Sequence, residues 1–304
     1  MKKEVFLIEE KTKQVYDRVF KRIFSLSNVA IINLINGLFD KDFPLDSKVA
    51  YPNKEFIGRM LEKKFADVIV IINESETFHL EAQMTKDKKI VLRAFEYGFY
   101  YAVSEQEDEE VLKFPEPMII YLDDVDEIPK ESVLHISFGE QGMFTYRVRN
   151  YIYQKHQVAE LNRKRMIVLI PFQVLKLREL CNSKIQKEIK EERFAVLQEE
   201  IRNDIIESIK ANLQFGNITA DDANQLLELT NFLYEHIQSD FVKSGGRNDM
   251  KPLLPGAIEL PNDKYRIRID ELEKEISKYA DENAKYADEN EKLKRRIAEL
   301  EKRN

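Results

Sequence analysis

The stretch KFADVIVIINESETFHLEAQ, residues 64–83, predicts two strands joined by a short polar turn. Its first half is β-branched and apolar throughout, which is typical of a strand covered on both faces. Its second half alternates, so Glu81 and Gln83 share the face opposite Leu80 and Ala82. Asp67 opens the first strand. Buried carboxylates are costly unless they are paired, hydrogen-bonded or bound to a metal, so the stretch raises the question of a metal site.

A hairpin turn at residues 73–76 would bring Asp67 close to Glu81 or Gln83. Two hard oxygen donors at that separation suit Mg²⁺ or Mn²⁺, and the backbone carbonyl of Ala82 could add a third. Gln83 could orient a water molecule or bond a phosphate oxygen, but it carries no positive charge. An aspartate at a strand start is also commonly a solvated end or a turn cap, and that alternative stays open for Asp67.

Length, net charge and cysteine count disfavour several classes of protein. The chain has 304 residues, a net charge of −7 and one cysteine, Cys181, so a general polyanion binder and a disulfide framework are both disfavoured. No apolar run approaches the roughly 18 residues of a membrane span. The N-terminal MKKEVFLIEE is a poor signal peptide, and we expect a cytoplasmic protein with no membrane partner.

The remaining pattern predicts an α/β domain followed by helices. Helical spacing covers residues 15–40, with a break at Ser27 or Asn28, and residues 89–104. Further strands are expected at residues 116–122, 133–138, 143–153 and 163–172, and the last of these could instead lead into a helix from Leu175. A long amphipathic helix at residues 182–213 and a pair of shorter helices should follow, with Thr219 as an N-cap.

Residues 263–304 carry the clearest periodicity, since KYADENA is followed at once by KYADENE. A heptad frame predicts a parallel coiled-coil dimer, although dimer and trimer patterns overlap and a solvated single helix is the alternative. The predicted core positions are Tyr265, Ile269, Leu272, Ile276, Tyr279, Asn283, Tyr286, Asn290, Leu293, Ile297 and Leu300. Glycines and prolines make residues 244–262 a linker, so we expect a domain at 1–175, a helical extension at 176–243, the linker, and the coiled coil.

The pattern ADVIVII…FHLEAQ resembles the D…E-x-Q form of the PD-(D/E)XK nuclease superfamily. The flanking YDRVFKRIF, LRAFEYGFYYA and PMIIYL resemble its recombination-promoting nuclease branch, which is transposase-like, over residues 15–175. The resemblance implies a three-layer restriction-endonuclease-like core with a mixed sheet, and Mg²⁺-dependent endonuclease activity on DNA. It implies Asp67 and Glu81 as metal ligands, and an acid from the first helix, for which Asp17 is the candidate. Gln83 stands where the superfamily usually has lysine.

DNA binding requires basic residues, and Lys86, Lys88, Lys89 and Arg93 follow the acidic pair directly. The lysines could equally be ordinary solubilising charges. Arg93 is placed to pair with a carboxylate or a phosphate. The sequence thus predicts a dimeric metal-dependent DNA endonuclease. The alternative is an inactive nuclease fold that binds DNA or assembles partners. The sequence does not decide between DNA and RNA as the substrate.

Overall fold

A computed structural model of the chain describes residues 15–52, 68–106, 110–123, 125, 127–182, 187–243 and 253. All of these belong to one compact unit, Met1–Gly256. No described helix has by itself the length and apolar content of a membrane span. One pair of helices meets the criteria of length and apolar content when the two are taken together. The pair consists of Val15–Ile23 and Asn28–Phe39, whose axes are bent by 107° at the break between them.

The core of this unit is a mixed six-stranded sheet flanked by helices, so the predicted α/β class is confirmed. The strands are β1 Val49–Ala50, β2 Val68–Ile72, β3 Glu76–Gln83, β4 Glu116–Tyr121, β5 Glu131–Ser137 and β6 Met143–Ile152. Their spatial order is β1-β2-β3-β4-β6-β5. β3 and β4 are parallel, as are β4 and β6, and the other pairs are antiparallel.

The helices lie on both faces of the sheet. They are α1 Val15–Ile23, α2 Asn28–Phe39, α3 Ile90–Ser104, α4 Val158–Arg163, α5 Lys176–Asn182, α6 Lys187–Gln214 and α7 Ala220–Lys243, with a 3₁₀ helix at Ile167–Leu175. On one face, Phe39 of α2 packs against Phe78 of β3 with ring centroids 4.6 Å apart. On the other face, Tyr97 of α3 meets His79 at 5.6 Å.

The predicted alternation of β3 therefore holds, since neighbouring residues Phe78 and His79 contact helices on opposite sides. The predicted break before α2 is also present, because the hydroxyl of Ser27 caps the helix by accepting a hydrogen bond from Ala30 N–H at 3.3 Å. β1 was not expected, since residues 41–58 read as a polar loop.

The strand predicted at residues 163–172 is wrong. Ile167–Leu175 forms a 3₁₀ helix in which all nine residues are buried. A fully apolar run has no periodicity to separate a strand from a buried helix, and Pro171 within it lacks the N–H that an interior strand would use. The predicted pair of shorter helices is likewise wrong, because α7 runs unbroken for 24 residues.

One buried carboxylate joins the starts of α2 and α7. Asp222 accepts hydrogen bonds from Ser27 N–H at 2.7 Å, from the Ser27 hydroxyl at 2.5 Å and from Thr219 N–H at 2.8 Å. The Thr219 hydroxyl in turn accepts from Asp222 N–H at 3.1 Å, so the predicted N-cap is part of a capping box. A single side chain thus satisfies donors at the starts of both helices, and Asp222 lies 195 residues from Ser27 along the chain.

The linker predicted at residues 244–262 lies outside the described residues except for Leu253, and the coiled coil predicted at 263–304 lies wholly outside them. The domain boundaries proposed from the sequence therefore stay predictions.

We expect Asp222→Ala to lower the free energy of unfolding by about 3 kcal/mol, because three donors lose their acceptor at about 1 kcal/mol each. Urea denaturation followed by circular dichroism measures this loss. The matched control is Asp221→Ala on the same turn, which is exposed and should change stability by less than about 0.5 kcal/mol. Equal losses in the two variants would contradict the capping role.

Candidate active site around Glu81

Glu81 is a buried carboxylate on an interior strand of the sheet. It lies on β3, where its neighbour on β4 is Ile119, and only 1 % of its surface is exposed. Ile119 packs with Ile90 and Ala94 of α3, so this face of the strand points at that helix. Residues of the same face two positions along the strand are His79 and Gln83.

The two oxygens of the Glu81 carboxylate have different surroundings. Oε1 accepts a hydrogen bond from Arg93 Nη2 and another from Gln83 Nε2, both at 2.7 Å. Oε2 is fully buried and accepts no hydrogen bond from the described residues. A buried carboxylate oxygen without a donor is unfavourable, so Glu81 is only half satisfied by the residues that the structure describes.

Arg93 bridges two carboxylates. Its Nη2 bonds Glu81, and its Nη1 donates to Asp87 Oδ2 at 2.9 Å. The side chains of Arg93 and Asp87 are 29 % and 34 % exposed, so the bridge runs from the buried strand to the solvent. We call the set Glu81, Gln83, Asp87 and Arg93 the Glu81 network.

Local sequence explains how the Glu81 network assembles. The chain turns from β3 into α3 over six residues, and Asp87 accepts a hydrogen bond from the N–H of Lys89, the N-cap of α3, at 2.9 Å. Arg93 follows one turn into the helix. Tyr121 of β4 is the sheet neighbour of Gln83, and burial together with the negative charge of Asp87 raises the pKa of its hydroxyl.

The structure places the other predicted residues in different settings. Ala82 is buried between Glu81 and Gln83, with Ile120 as its neighbour on β4. Lys86, Lys88 and Lys89 are exposed beside the Glu81 network, and Lys86 Nζ lies 3.9 Å from Glu127 Oε2. Asp17 is half-buried in α1.

Asp67 lies outside the described residues, one position before the start of β2. The first described residue of β2, Val68, pairs with Leu80, which precedes Glu81. Within the described part of the chain, no group of three or more His, Cys, Asp or Glu side chains is arranged to hold a metal ion. The predicted ligand set of Asp67, Glu81 and the Ala82 carbonyl accordingly stays a prediction.

Asp87 is the member of the Glu81 network that the sequence did not point to. A signal was present, because an acid two residues before a predicted helix start can accept a hydrogen bond from the helix N-terminus. An arginine six residues further on could then reach the same acid. The sequence placed Arg93 to pair with a carboxylate or a phosphate, but it did not indicate that Asp87 and Glu81 would share the guanidinium, since that arrangement depends on how α3 packs on the sheet.

Comparisons of the chain with protein-family models, with curated proteins and with solved structures find no match.

A double-mutant cycle tests whether Glu81 depends on Arg93. With EDTA present, Arg93→Gln should lower the free energy of unfolding by about 3 kcal/mol, because it leaves a buried carboxylate without its cation. Adding Glu81→Gln to that variant should recover part of the loss, giving a coupling energy of about 2 kcal/mol. Urea denaturation of the four proteins measures it.

The control cycle uses Lys48 and Glu74, a pair of similar length at 3.2 Å whose side chains are 79 % and 78 % exposed. Solvent screens that pair, so its coupling should stay below about 0.5 kcal/mol. Couplings of the same size in the two cycles would show that Glu81 does not need Arg93.

Proposed function

We propose that the protein is a Mg²⁺-dependent DNA endonuclease of the PD-(D/E)XK type that acts as a dimer. The observation that carries the proposal is the Glu81 carboxylate, which is buried on an interior strand while Oε2 lacks a donor among the described residues. A divalent cation would give such an oxygen a positive partner. The mixed sheet with helices on both faces is consistent with the core that the motif resemblance implies.

The residues that would hold the ion are Asp67 and Glu81 through carboxylate oxygens and Ala82 through its carbonyl. When bound, Mg²⁺ supplies Lewis-acid chemistry, lowering the pKa of a water molecule and stabilising negative charge on the phosphate. Gln83 offers a neutral amide donor on the same side of the strand. Its amide already holds Glu81 Oε1 at 2.7 Å, which fixes the direction in which the carboxylate points.

Positive charge around the site favours a polyanionic substrate. The exposed Lys86, Lys88 and Lys89 follow β3 directly, and Arg93 is partly exposed. Lysines near a scissile phosphate release counterions from the nucleic acid and so contribute affinity that falls with salt. This local basic stretch would attract nucleic acid to the site although the net charge of the chain is −7.

A second candidate function is DNA binding or assembly without catalysis. One observation favours it, since Glu81 Oε1 is held by both Arg93 and Gln83 and the motif position 83 has no lysine. A carboxylate engaged in this way can stabilise the fold without binding a metal. The two candidates differ in a single measurable property, which is cleavage that requires both Mg²⁺ and Glu81.

Nicking of supercoiled plasmid DNA with and without Mg²⁺ is the test of catalysis. Glu81→Gln and Asp67→Ala should each lower the rate by about a hundredfold or more, the scale expected when charge stabilisation in a transition state is lost. Glu76→Gln is the matched control, since Glu76 lies on the same strand but is exposed, and its rate should match wild type. Cleavage that is absent in wild type, or unchanged in Glu81→Gln, supports the binding protein instead.

Removal of residues 263–304 tests the dimer. The full chain should have twice the monomer mass in solution, and the truncated chain should have the mass of one monomer, because the heptads supply the contact between copies. Multi-angle light scattering after size exclusion measures both. Tethered active sites have a high effective concentration, so truncation should also favour single-strand nicks over double-strand breaks. An unchanged oligomeric state would remove the coiled coil from the proposal.

A further inference from the structure

The negative charge of Glu81 is already matched by Arg93. Nη2 lies 2.7 Å from Oε1, and Gln83 donates to the same oxygen, while Oε2 accepts nothing from the described residues. The two oxygens belong to one carboxylate, so a cation on Oε2 would lie beside the guanidinium. Like charges repel strongly where little water is present to screen them.

We propose that Arg93 and a divalent cation compete for Glu81, and that a nucleic-acid phosphate ends the competition by drawing the guanidinium away. This inference rests on the proposed function, and it adds a regulation of the same site. It makes Arg93 a positioning residue that couples metal binding to substrate binding.

Arg93 is placed to make this exchange. Its side chain is 29 % exposed, whereas that of Glu81 is 2 % exposed, so a large anion can reach the guanidinium but not the carboxylate. Arginine presents a planar pair of donors that fits phosphate as well as it fits carboxylate. The exposed Lys86, Lys88 and Lys89 lie on the segment that joins β3 to α3 and would add attraction for the phosphate backbone.

Asp87 sets where the guanidinium rests. It accepts from Nη1 at 2.9 Å and is 34 % exposed, so it pulls the group towards solvent while Glu81 pulls it inwards. Without the charge of Asp87, Glu81 would be the charged carboxylate of the Glu81 network that holds Arg93. The contact between Arg93 and Glu81 would then be stronger. Removing Arg93 would free Glu81. The competition thus predicts opposite effects on metal affinity for the two substitutions.

Mn²⁺ binding to the full chain, measured by electron paramagnetic resonance of the free ion, is the test. Without nucleic acid, Arg93→Gln should bind Mn²⁺ about tenfold more tightly than wild type, and Asp87→Asn about threefold more weakly. A short DNA duplex with phosphorothioate linkages, which resists cleavage, should tighten Mn²⁺ binding to wild type about tenfold. The same duplex should change the affinity of Arg93→Gln by less than about twofold, because the coupling residue is gone.

Arg147→Gln is the matched control for removing one positive charge. Arg147 is exposed and pairs with Glu131 at 3.6 Å, so this variant also frees a carboxylate, but on the surface. Its Mn²⁺ affinity should stay within about twofold of wild type. A gain in Arg147→Gln equal to that in Arg93→Gln would overturn the proposal, since the effect would then follow net charge alone.

Other outcomes separate this inference from the proposed function. If Glu81→Gln abolishes Mn²⁺ binding while Arg93→Gln binds no more tightly than wild type, the metal site stands and the competition is refuted. If Glu81→Gln binds Mn²⁺ as wild type does, the proposed metal site and the competition are both wrong. Should Arg93→Gln fail to fold, Asp87→Asn decides the question, and an affinity equal to or tighter than that of wild type refutes the competition.

Discussion

A carboxylate buried on an interior strand must be paired, hydrogen-bonded or bound to a metal, and in this protein that requirement ties β3 to α3. Glu81 meets it through Arg93 at 2.7 Å. The contact depends on the register of β3, because a slip of one residue would turn Glu81 towards the face where Phe78 meets Phe39. It depends equally on the rotation of α3, whose apolar side packs on Ile119 while Arg93 reaches the strand. Fold and candidate site are therefore set by the same contact.

A second buried acid joins α2, which precedes the sheet in the chain, to α7, which follows it. Asp222 satisfies donors at the starts of α2 and α7, and the 3₁₀ helix Ile167–Leu175 is buried over its whole length. Both acids obey one rule, since each is placed where several donors converge. They differ in what remains unsatisfied, because both oxygens of Asp222 accept hydrogen bonds, whereas Oε2 of Glu81 accepts none from the described residues. That difference is why Asp222 is interpreted as structural and Glu81 as a candidate for function.

The sequence was informative where a short pattern determines local structure. Alternation in TFHLEAQ predicted which side of β3 carries Glu81, and the caps at Ser27 and Thr219 were readable from residue type and position. It failed at Ile167–Leu175, where eight of the nine residues are apolar and show no period that separates a strand from a buried helix. The sequence also did not indicate Asp87, because only the packing of α3 on the sheet brings its partner Arg93 to Glu81.

The residues around Glu81 also restrict how a proton could move under the proposed function. Gln83 is neutral, and the guanidinium of Arg93 has only hydrogen-bond donors and no acceptor. Neither side chain can accept a proton from an attacking water molecule, which a lysine at position 83 could do once deprotonated. Under the proposed function, that proton would pass to solvent, to a phosphate oxygen of the substrate or to a carboxylate such as that of Asp87, which is 34 % exposed. Under that proposal, charge at this site would serve to bind and orient the substrate, and the partial exposure of Arg93 and Asp87 would give the proton its contact with solvent.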